Sequence, residues 1–155
     1  MKGKWQVPGS LLFMGAVVVV HAQEAPLDQA DVHFRAGQYE KALSLYQQQL
    51  TTASEAEAGG RVLFHMGQCL TGLKKYKEAV AAFESAVVKF PTSSFADDAL
   101  LRKGCVQAGI LDDWQAAIST WQTLVKKYPQ SGMAPEAQFL IGIVDWMNGQ
   151  KSRAK

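Results

Sequence analysis

The histidines, paired acids and serines of the sequence do not form a reactive constellation. His33 and His65, the histidines that follow residue 22, belong to no Cys, His and Asp cluster with metal-ligand spacing. Asp97–Asp98 and Asp112–Asp113 are paired carboxylates, but adjacent side chains diverge, and acids commonly serve helix starts and turns. Neither a glycine-rich phosphate loop nor a nucleophile elbow is present. The sequence therefore predicts no catalytic, metal or cofactor site, and no enzyme.

The two cysteines, Cys69 and Cys105, are either disulfide-bonded or free thiols. In an oxidising compartment they could form a disulfide. They fall in equivalent predicted helices but are one position out of register, which turns the two side chains about 100° apart. Because a disulfide needs close and aligned Cβ atoms, we expect two buried thiols rather than a bond.

The first residues have the composition of a secretory signal peptide. Lys2 and Lys4 precede the apolar run Leu11–Val20, and small or modest residues follow at Val20–Ala22. We expect cleavage after residue 22, with secretion across an inner membrane into the periplasm. The alternative is an uncleaved membrane anchor, but even Val7–Val20 is only 14 residues long, against about 20 needed for a span. No integral membrane span is predicted after cleavage.

Removal of this leader makes the chain electrically neutral. The full sequence has 16 Lys and Arg against 14 Asp and Glu. Lys2 and Lys4 leave with the leader, so the numbers of positive and negative side chains become equal. Nucleic-acid binding depends mainly on neutralising phosphates with basic side chains. Nucleic acid is therefore excluded as an expected partner.

A helical pattern recurs at a nearly fixed interval after the leader. Ala42, Ala79, Ala117 and Ala154 are 37, 38 and 37 residues apart. Each of the first three has one aromatic residue three positions earlier and another four positions later, on the same helical face. Those aromatics are Tyr39, Tyr76 and Trp114 before the alanines, and Tyr46, Phe83 and Trp121 after them. A period of this length indicates a solenoid of stacked helical repeats.

Glycine and proline mark the other helix of each repeat and the connections. Gly67, Gly104 and Gly142 recur inside a predicted first helix, where they favour close packing with another helix. Pro91 and Pro129 end second helices. First helices are expected to open at Ala96 and Ala134. The connections are predicted at Gly37, Gly59–Arg61, Gly72, Asp112–Asp113 and Asn148–Gly149.

The predicted fold is all-α: a helix-turn-helix solenoid of three helix pairs and an incomplete fourth, in a domain of residues 23–155. The approximate repeats are 25–55, 61–91, 97–129 and 134–155. The last repeat would expose Phe139, Ile143 and Trp146 together. Either the sequence continues past Lys155 with a second helix, or another chain covers this face.

These features resemble the tetratricopeptide repeat, and the second repeat fits best, with Leu63, Gly67, Ala79, Phe83 and Pro91 at the family's spacing. The third departs from it at Lys103 and Gln107, where the family has apolar residues. The long period and the joint that begins at Tyr128–Pro129 are similar to the repeat domain of the bacterial Tol-Pal-associated cell division coordinator and to related envelope proteins.

The resemblance implies a concave groove lined by the first helices, which holds a segment of another protein. Transferred position by position, the groove residues are Phe34, Arg35, Arg61, Phe64, Gln68, Thr71, Asp98, Leu101, Phe139 and Trp146. Phe34, Phe64, Leu101 and Phe139 are expected to be apolar anchors, and the polar residues would fix direction. A glycan ligand remains an alternative to a peptide.

Two functional hypotheses follow from this pattern. In the first, the protein is an exported adaptor without a cofactor, acting in envelope assembly or division. In the second, it is a self-assembling scaffold whose open fourth repeat docks on another copy. A concentration-dependent homo-oligomer distinguishes the second from the first.

Overall fold

The computed structural model describes residues 28–153, and in that range it contains seven helices and no strand. The helices are α1 (Gln29–Arg35), α2 (Tyr39–Thr52), α3 (Ala56–Gly72), α4 (Tyr76–Lys89), α5 (Ala96–Gly109), α6 (Trp114–Lys127) and α7 (Ala134–Arg153). Each helix packs on the next, and α3 also touches α5. The predicted all-α repeat solenoid is confirmed. The predicted leader, residues 1–22, lies outside the described residues.

The helix pairs are held together by aromatic rings that press on glycine. A Cβ added to Gly67 would lie 2.5 Å from Cε1 of Phe83, and one added to Gly104 would overlap the indole of Trp121. Both rings are fully buried and belong to the second helix of the same repeat. Close packing was the role predicted for these two glycines.

The predicted connection at Gly59–Arg61 is wrong, because α3 begins earlier, at Ala56, and runs through these residues. Gly59 and Gly60 are buried, and the side chains of Phe90 and Ser93 occupy the space that their Cβ atoms would need. Glycine costs about 1 kcal/mol in a helix relative to alanine. Here that cost is offset because the next joint packs directly on the α3 backbone.

The turn predicted at Asn148–Gly149 is also wrong, since α7 continues to Arg153. The three turns within the other repeats are each followed at once by an aromatic residue of the second helix: Tyr39, Tyr76 or Trp114. Each of these residues is partly buried against a core cluster. At the equivalent position the sequence has Lys151, which cannot bury an aromatic ring in the same way. A turn before this residue therefore gains no packing energy, and the helix continues instead.

The joints that follow α4 and α6 each contain a hydrogen bond from a serine to an acidic residue. Glu57 of α3 accepts from the Ser94 N–H at 2.9 Å and from the Ser94 hydroxyl at 2.5 Å. In the next joint Asp97 of α5 accepts from the hydroxyl of Ser131, which lies one position earlier than the equivalent of Ser94. An acid in the first turn of one first helix therefore holds the joint that leads to the next.

Two polar residues of the third repeat, Lys103 and Gln107, depart from the family pattern, and each makes a polar contact with a neighbouring helix. The Lys103 ammonium forms an ion pair with Glu84 of α4. The Thr120 hydroxyl of α6 donates to Oε1 of Gln107 at 2.7 Å. The family packing is kept because these polar groups are paired across neighbouring helices.

Candidate functional site

A depression of about 340 Å³ opens where α3 and α5 lie side by side. Gln68 and Thr71 of α3, both predicted groove residues, form one wall. The opposite wall belongs to α5 and the residue after it, and the buried ring of Phe83 provides an apolar base. The complete lining is Gln68, Thr71, Phe83, Arg102, Cys105, Val106 and Ile110.

The polar side chains of this depression differ in their availability. The Thr71 hydroxyl donates to the Gly67 carbonyl at 2.9 Å and is occupied. Oε1 of Gln68 is 3.0 Å from Nδ1 of His65, which leaves the amide nitrogen of Gln68 as a donor. Arg102 is exposed and makes no ion pair within residues 28–153. The depression therefore offers an unpaired guanidinium beside an apolar base.

Both cysteines are free thiols, but only one of them is buried, whereas two buried thiols were expected. Cys69 is buried, and burial raises the pKa of its thiol to about 12. Cys105 is half-buried on the wall of the depression, and burial raises its pKa as well. Neither thiol is activated for nucleophilic chemistry.

Comparison with known families agrees with this geometry. Two family profiles, both described as tetratricopeptide repeat, match residues 23–87 and 98–131, which together make up more than half of the chain. The chain is a tetratricopeptide repeat protein. None of the curated proteins matches its sequence. Members of this family generally bind proteins and are not catalysts.

Phe64 and Leu101, predicted as exposed anchors of the tetratricopeptide repeat groove, are core residues. Only 7% of Phe64 and 5% of Leu101 is exposed. The Phe64 ring packs at 5.6 Å from the ring of Phe95 in the following joint, and the Leu101 carbonyl accepts the Trp121 indole N–H at 3.3 Å. The prediction failed at these positions because both side chains belong to the core cluster, and Phe64 is also covered by the following joint.

Arg61 joins the first repeat to the second. Its guanidinium contacts Asp28 at 3.2 Å and Asp31 at 3.1 Å. The Tyr46 hydroxyl also donates to Asp31, and the Gln49 amide donates to Asp28 at 2.6 Å. Burial acts to raise the pKa of Asp28, but the Ala30 backbone N–H, Arg61 and the Gln49 amide outweigh it and hold that pKa below its ordinary value. The side chain predicted to face a partner is occupied inside the protein.

His65 lies in a cluster of aromatic rings close to the depression. Its imidazole stacks on Tyr46 at 5.5 Å, with the planes 11° apart, and meets Phe34 edge-on at 5.4 Å. Burial lowers its pKa, so the ring is held in the neutral form. Phe34, a predicted anchor, is half-buried in this cluster, and the predicted Arg35 is exposed beside it.

The remaining predicted residues do not line the depression. Asp98 is half-buried near the start of α5, one turn before Arg102. Burial and the neighbouring Asp97 raise its pKa, and Arg102 acts in the opposite direction. Phe139 and Trp146 are 67% and 66% exposed on α7 and line a different surface. Of the ten predicted groove residues, the structure brings only Gln68 and Thr71 together in the depression.

Arg102 and Ile110 were missed by the sequence analysis. Asp98, Arg102 and Cys105 follow at i, i+4 and i+7, which places Arg102 on the face of α5 that already included the predicted Asp98. That spacing was the available signal. Ile110 follows the last residue of α5, so its position depended on where the helix ended.

Two further findings concern the described residues as a whole. No three His, Cys, Asp or Glu side chains in residues 28–153 come together as a metal site. Within the same range, no helix has both the length and the apolar character to cross a membrane.

Proposed function

We propose that this protein is an exported adaptor that binds a segment of another protein in the depression between α3 and α5. The observation that carries the proposal is the Arg102 guanidinium, which forms no ion pair within residues 28–153, beside the apolar side chains of Phe83, Val106 and Ile110. Tetratricopeptide repeats bind proteins, and this depression joins an apolar surface to a directional charge. Such a pair gives affinity and register to a bound segment.

The chemistry of the depression specifies the kind of segment. An apolar side chain fits against the base, and a carboxylate near it in the segment pairs with Arg102 in a forked geometry. The Gln68 amide nitrogen is placed to donate to a backbone carbonyl. The proposed ligand is thus a peptide segment in which an acidic residue lies next to a large apolar residue.

Export and an envelope role belong to the same proposal and rest on the sequence. The positively charged start and the apolar run Leu11–Val20 support secretion, and the resemblance to envelope repeat proteins supports a role in envelope assembly or division. Mass spectrometry of the mature protein tests this. We expect a chain that begins at Gln23, and a leader made polar at Leu11 and Leu12 should leave the full-length chain uncleaved. A full-length chain in both cases would contradict export by cleavage.

Site-specific photo-crosslinking tests the binding surface. A photo-reactive amino acid at Ile110, which is 45% exposed at the depression, should capture a distinct polypeptide in extracts of the source cells. The same group at Val88, 67% exposed on α4 and away from the depression, is the matched control. Adducts at both positions, at neither position, or only with glycan would overturn the proposal.

A charge exchange then tests the role of Arg102. With the captured polypeptide as ligand, Arg102→Glu should weaken binding by roughly tenfold or more, since an attractive ion pair becomes a repulsive one. Lys41→Glu, on an exposed position of α2, makes the same change in net charge away from the depression. Equal losses in the two variants would show a general charge effect and remove Arg102 from the site.

A further inference from the structure

The face of α7 that points away from α6 is apolar and exposed. Phe139, Gly142, Ile143 and Trp146 form a shallow depression of about 310 Å³. The opposite face of α7 is already used, because Ala137 and Val144 are buried in the core. A helix with apolar residues on two opposite faces is typical of a buried helix.

Gly142 occupies the position of Gly67 and Gly104 in the preceding repeats, but its surroundings differ. In those repeats the ring of Phe83 or Trp121 fills the space next to the glycine. A Cβ added to Gly142 would meet nothing within 4 Å. The α7 face therefore has an open space beside a glycine, of the kind that an aromatic ring fills at Gly67 and Gly104.

The same face of α7 also has aromatic residues at the spacing found in second helices, whose rings fill such spaces. Second helices carry an aromatic residue, a small residue three positions later and another aromatic seven positions after the first, as in Trp114, Ala117 and Trp121. Phe139, Gly142 and Trp146 reproduce this spacing on α7. Thus one helix face contains both the open glycine and the aromatic residues that suit it.

Trp146 distinguishes α7 from the first helices that are covered by their own chain. The equivalent positions in α3 and α5 are Thr71 and Ala108, which are small. A tryptophan is not needed at this position for a following helix to pack. A tryptophan is needed here if α7 itself supplies the ring that fills the space beside a glycine of another helix.

We propose that two copies of this protein associate through their α7 helices, antiparallel and related by a two-fold axis. Trp146 of each copy fills the space at Gly142 of the other, as Trp121 fills the space at Gly104 within one chain. A two-fold contact of this kind uses the same surface on both subunits.

Reciprocal packing of the two residues fixes this direction. When Gly142 is level with Trp146 of the second copy in an antiparallel pair, Trp146 is also level with Gly142 of that copy. In a parallel pair with the same register, Trp146 would instead be level with residue 150, and only one of the two contacts could form.

Sedimentation equilibrium of the full chain, from about 1 to 300 µM, tests the association. The patch is small for a specific interface, so we expect a dimer with a dissociation constant in the micromolar range, on the order of 1 to 100 µM. Trp146→Gly should raise that constant roughly tenfold or more, as expected for loss of a central aromatic residue. Val88→Ala removes a comparably exposed apolar side chain from α4 and should leave it unchanged.

An exchange of the two residues separates specific packing from general hydrophobic association. Gly142→Trp adds apolar surface yet should weaken the dimer by roughly tenfold, because it fills the space that Trp146 needs. Combining Gly142→Trp with Trp146→Gly restores the complementary pair and should bring the dissociation constant back to within a few-fold of the original. The open space at Gly142 lets the single variant fold, and far-UV circular dichroism checks this.

Several results would overturn the proposal. A monomer over the whole concentration range would mean that the face stays free or that another part of the same chain covers it. A dimer that is unaffected by Trp146→Gly would place the contact elsewhere, for example on the apolar run Leu11–Val20, which all variants retain. Tighter association of Gly142→Trp would show unspecific hydrophobic contact.

Discussion

At the scale of single residues, glycine decides how closely the helices of a repeat approach. Gly67 and Gly104 are each pressed by an aromatic ring, whereas Gly142, at the same position of the next repeat, is open. The three residues are therefore a matched set in which helix propensity is constant and packing differs. Their substitutions separate the two contributions.

Alanine at these positions should have opposite effects. Gly67→Ala and Gly104→Ala force Phe83 or Trp121 to move, and we expect a loss of about 1–3 kcal/mol in the free energy of unfolding. Gly142→Ala meets no neighbouring atom and should gain up to about 1 kcal/mol from helix propensity. Urea unfolding at a protein concentration low enough to keep the chain monomeric measures all three. A loss at Gly142 equal to the others would contradict the packing explanation.

The pH dependence of stability should report on His65. Burial lowers its pKa in the folded protein, whereas in the unfolded chain it takes up a proton near pH 6.5. The unfolded state thus binds more protons, and stability falls as the pH drops below that value, by up to about 1.4 kcal/mol per pH unit. Urea unfolding between about pH 7 and pH 5 measures the slope.

Two variants test whether His65 causes this pH dependence of stability. His65→Gln should remove most of it, and His33→Gln should retain it. The depressed pKa values of Asp28 and Glu57 contribute stability that is lost only at lower pH, below their ordinary values of 3.8 and 4.5. An unchanged slope in His65→Gln would show that another group binds the proton.

Residue roles were predictable where the cause is local and failed where it is distant. The spacing that identified the packing glycines Gly67 and Gly104 is contained in one helix. The burial of Phe64 depends on the joint that follows, and the pairing of Arg61 depends on α1. A single first-helix pattern gives no indication of either contact, which is why predicted groove residues such as Phe64 and Arg61 became core or joint.

At the scale of elements, α1 is held by its packing on α2 and by polar contacts with α3. It has only seven residues, and a helix this short is not stable alone in water. Arg61 of α3 anchors it through Asp28 and Asp31. The ends of the longer helices were predictable from proline and the aromatic spacing, but the first turn of α3 and the length of α7 were not, because packing outside the helix sets them.

Removal of this anchor should loosen the first repeat. Arg61→Ala leaves two partly buried carboxylates without their cation, which costs about 1–2 kcal/mol. Limited proteolysis should then cut within residues 28–52 roughly tenfold faster, since cleavage follows the population of the opened form. Arg35→Ala, on an exposed position of α1, is the control and should change the rate little. Equal cleavage of both variants would show that the ion pairs do not hold α1.

At the scale of the whole molecule, the core has a division after the first repeat. One cluster of buried residues runs from α3 to α7, and it includes Phe83, Trp121 and Val144. A smaller one, with Ala42, Tyr46 and Cys69, joins α2 to α3. Because each repeat contacts only its neighbours, stability is approximately a sum of local terms. The first repeat, held by the smaller cluster, should open before the rest.

Hydrogen exchange of Tyr46→Phe tests this division. The substitution removes the hydroxyl that donates to Asp31 and keeps the buried ring. We expect the opening free energy of amides in α1 and α2 to fall by about 1–2 kcal/mol, while that of amides in α5 and α6 stays the same. Equal losses in all helices would mean one cooperative unit. A loss confined to the first repeat would mean that the α3–α5 depression and the α7 face keep their geometry when the N-terminal pair opens.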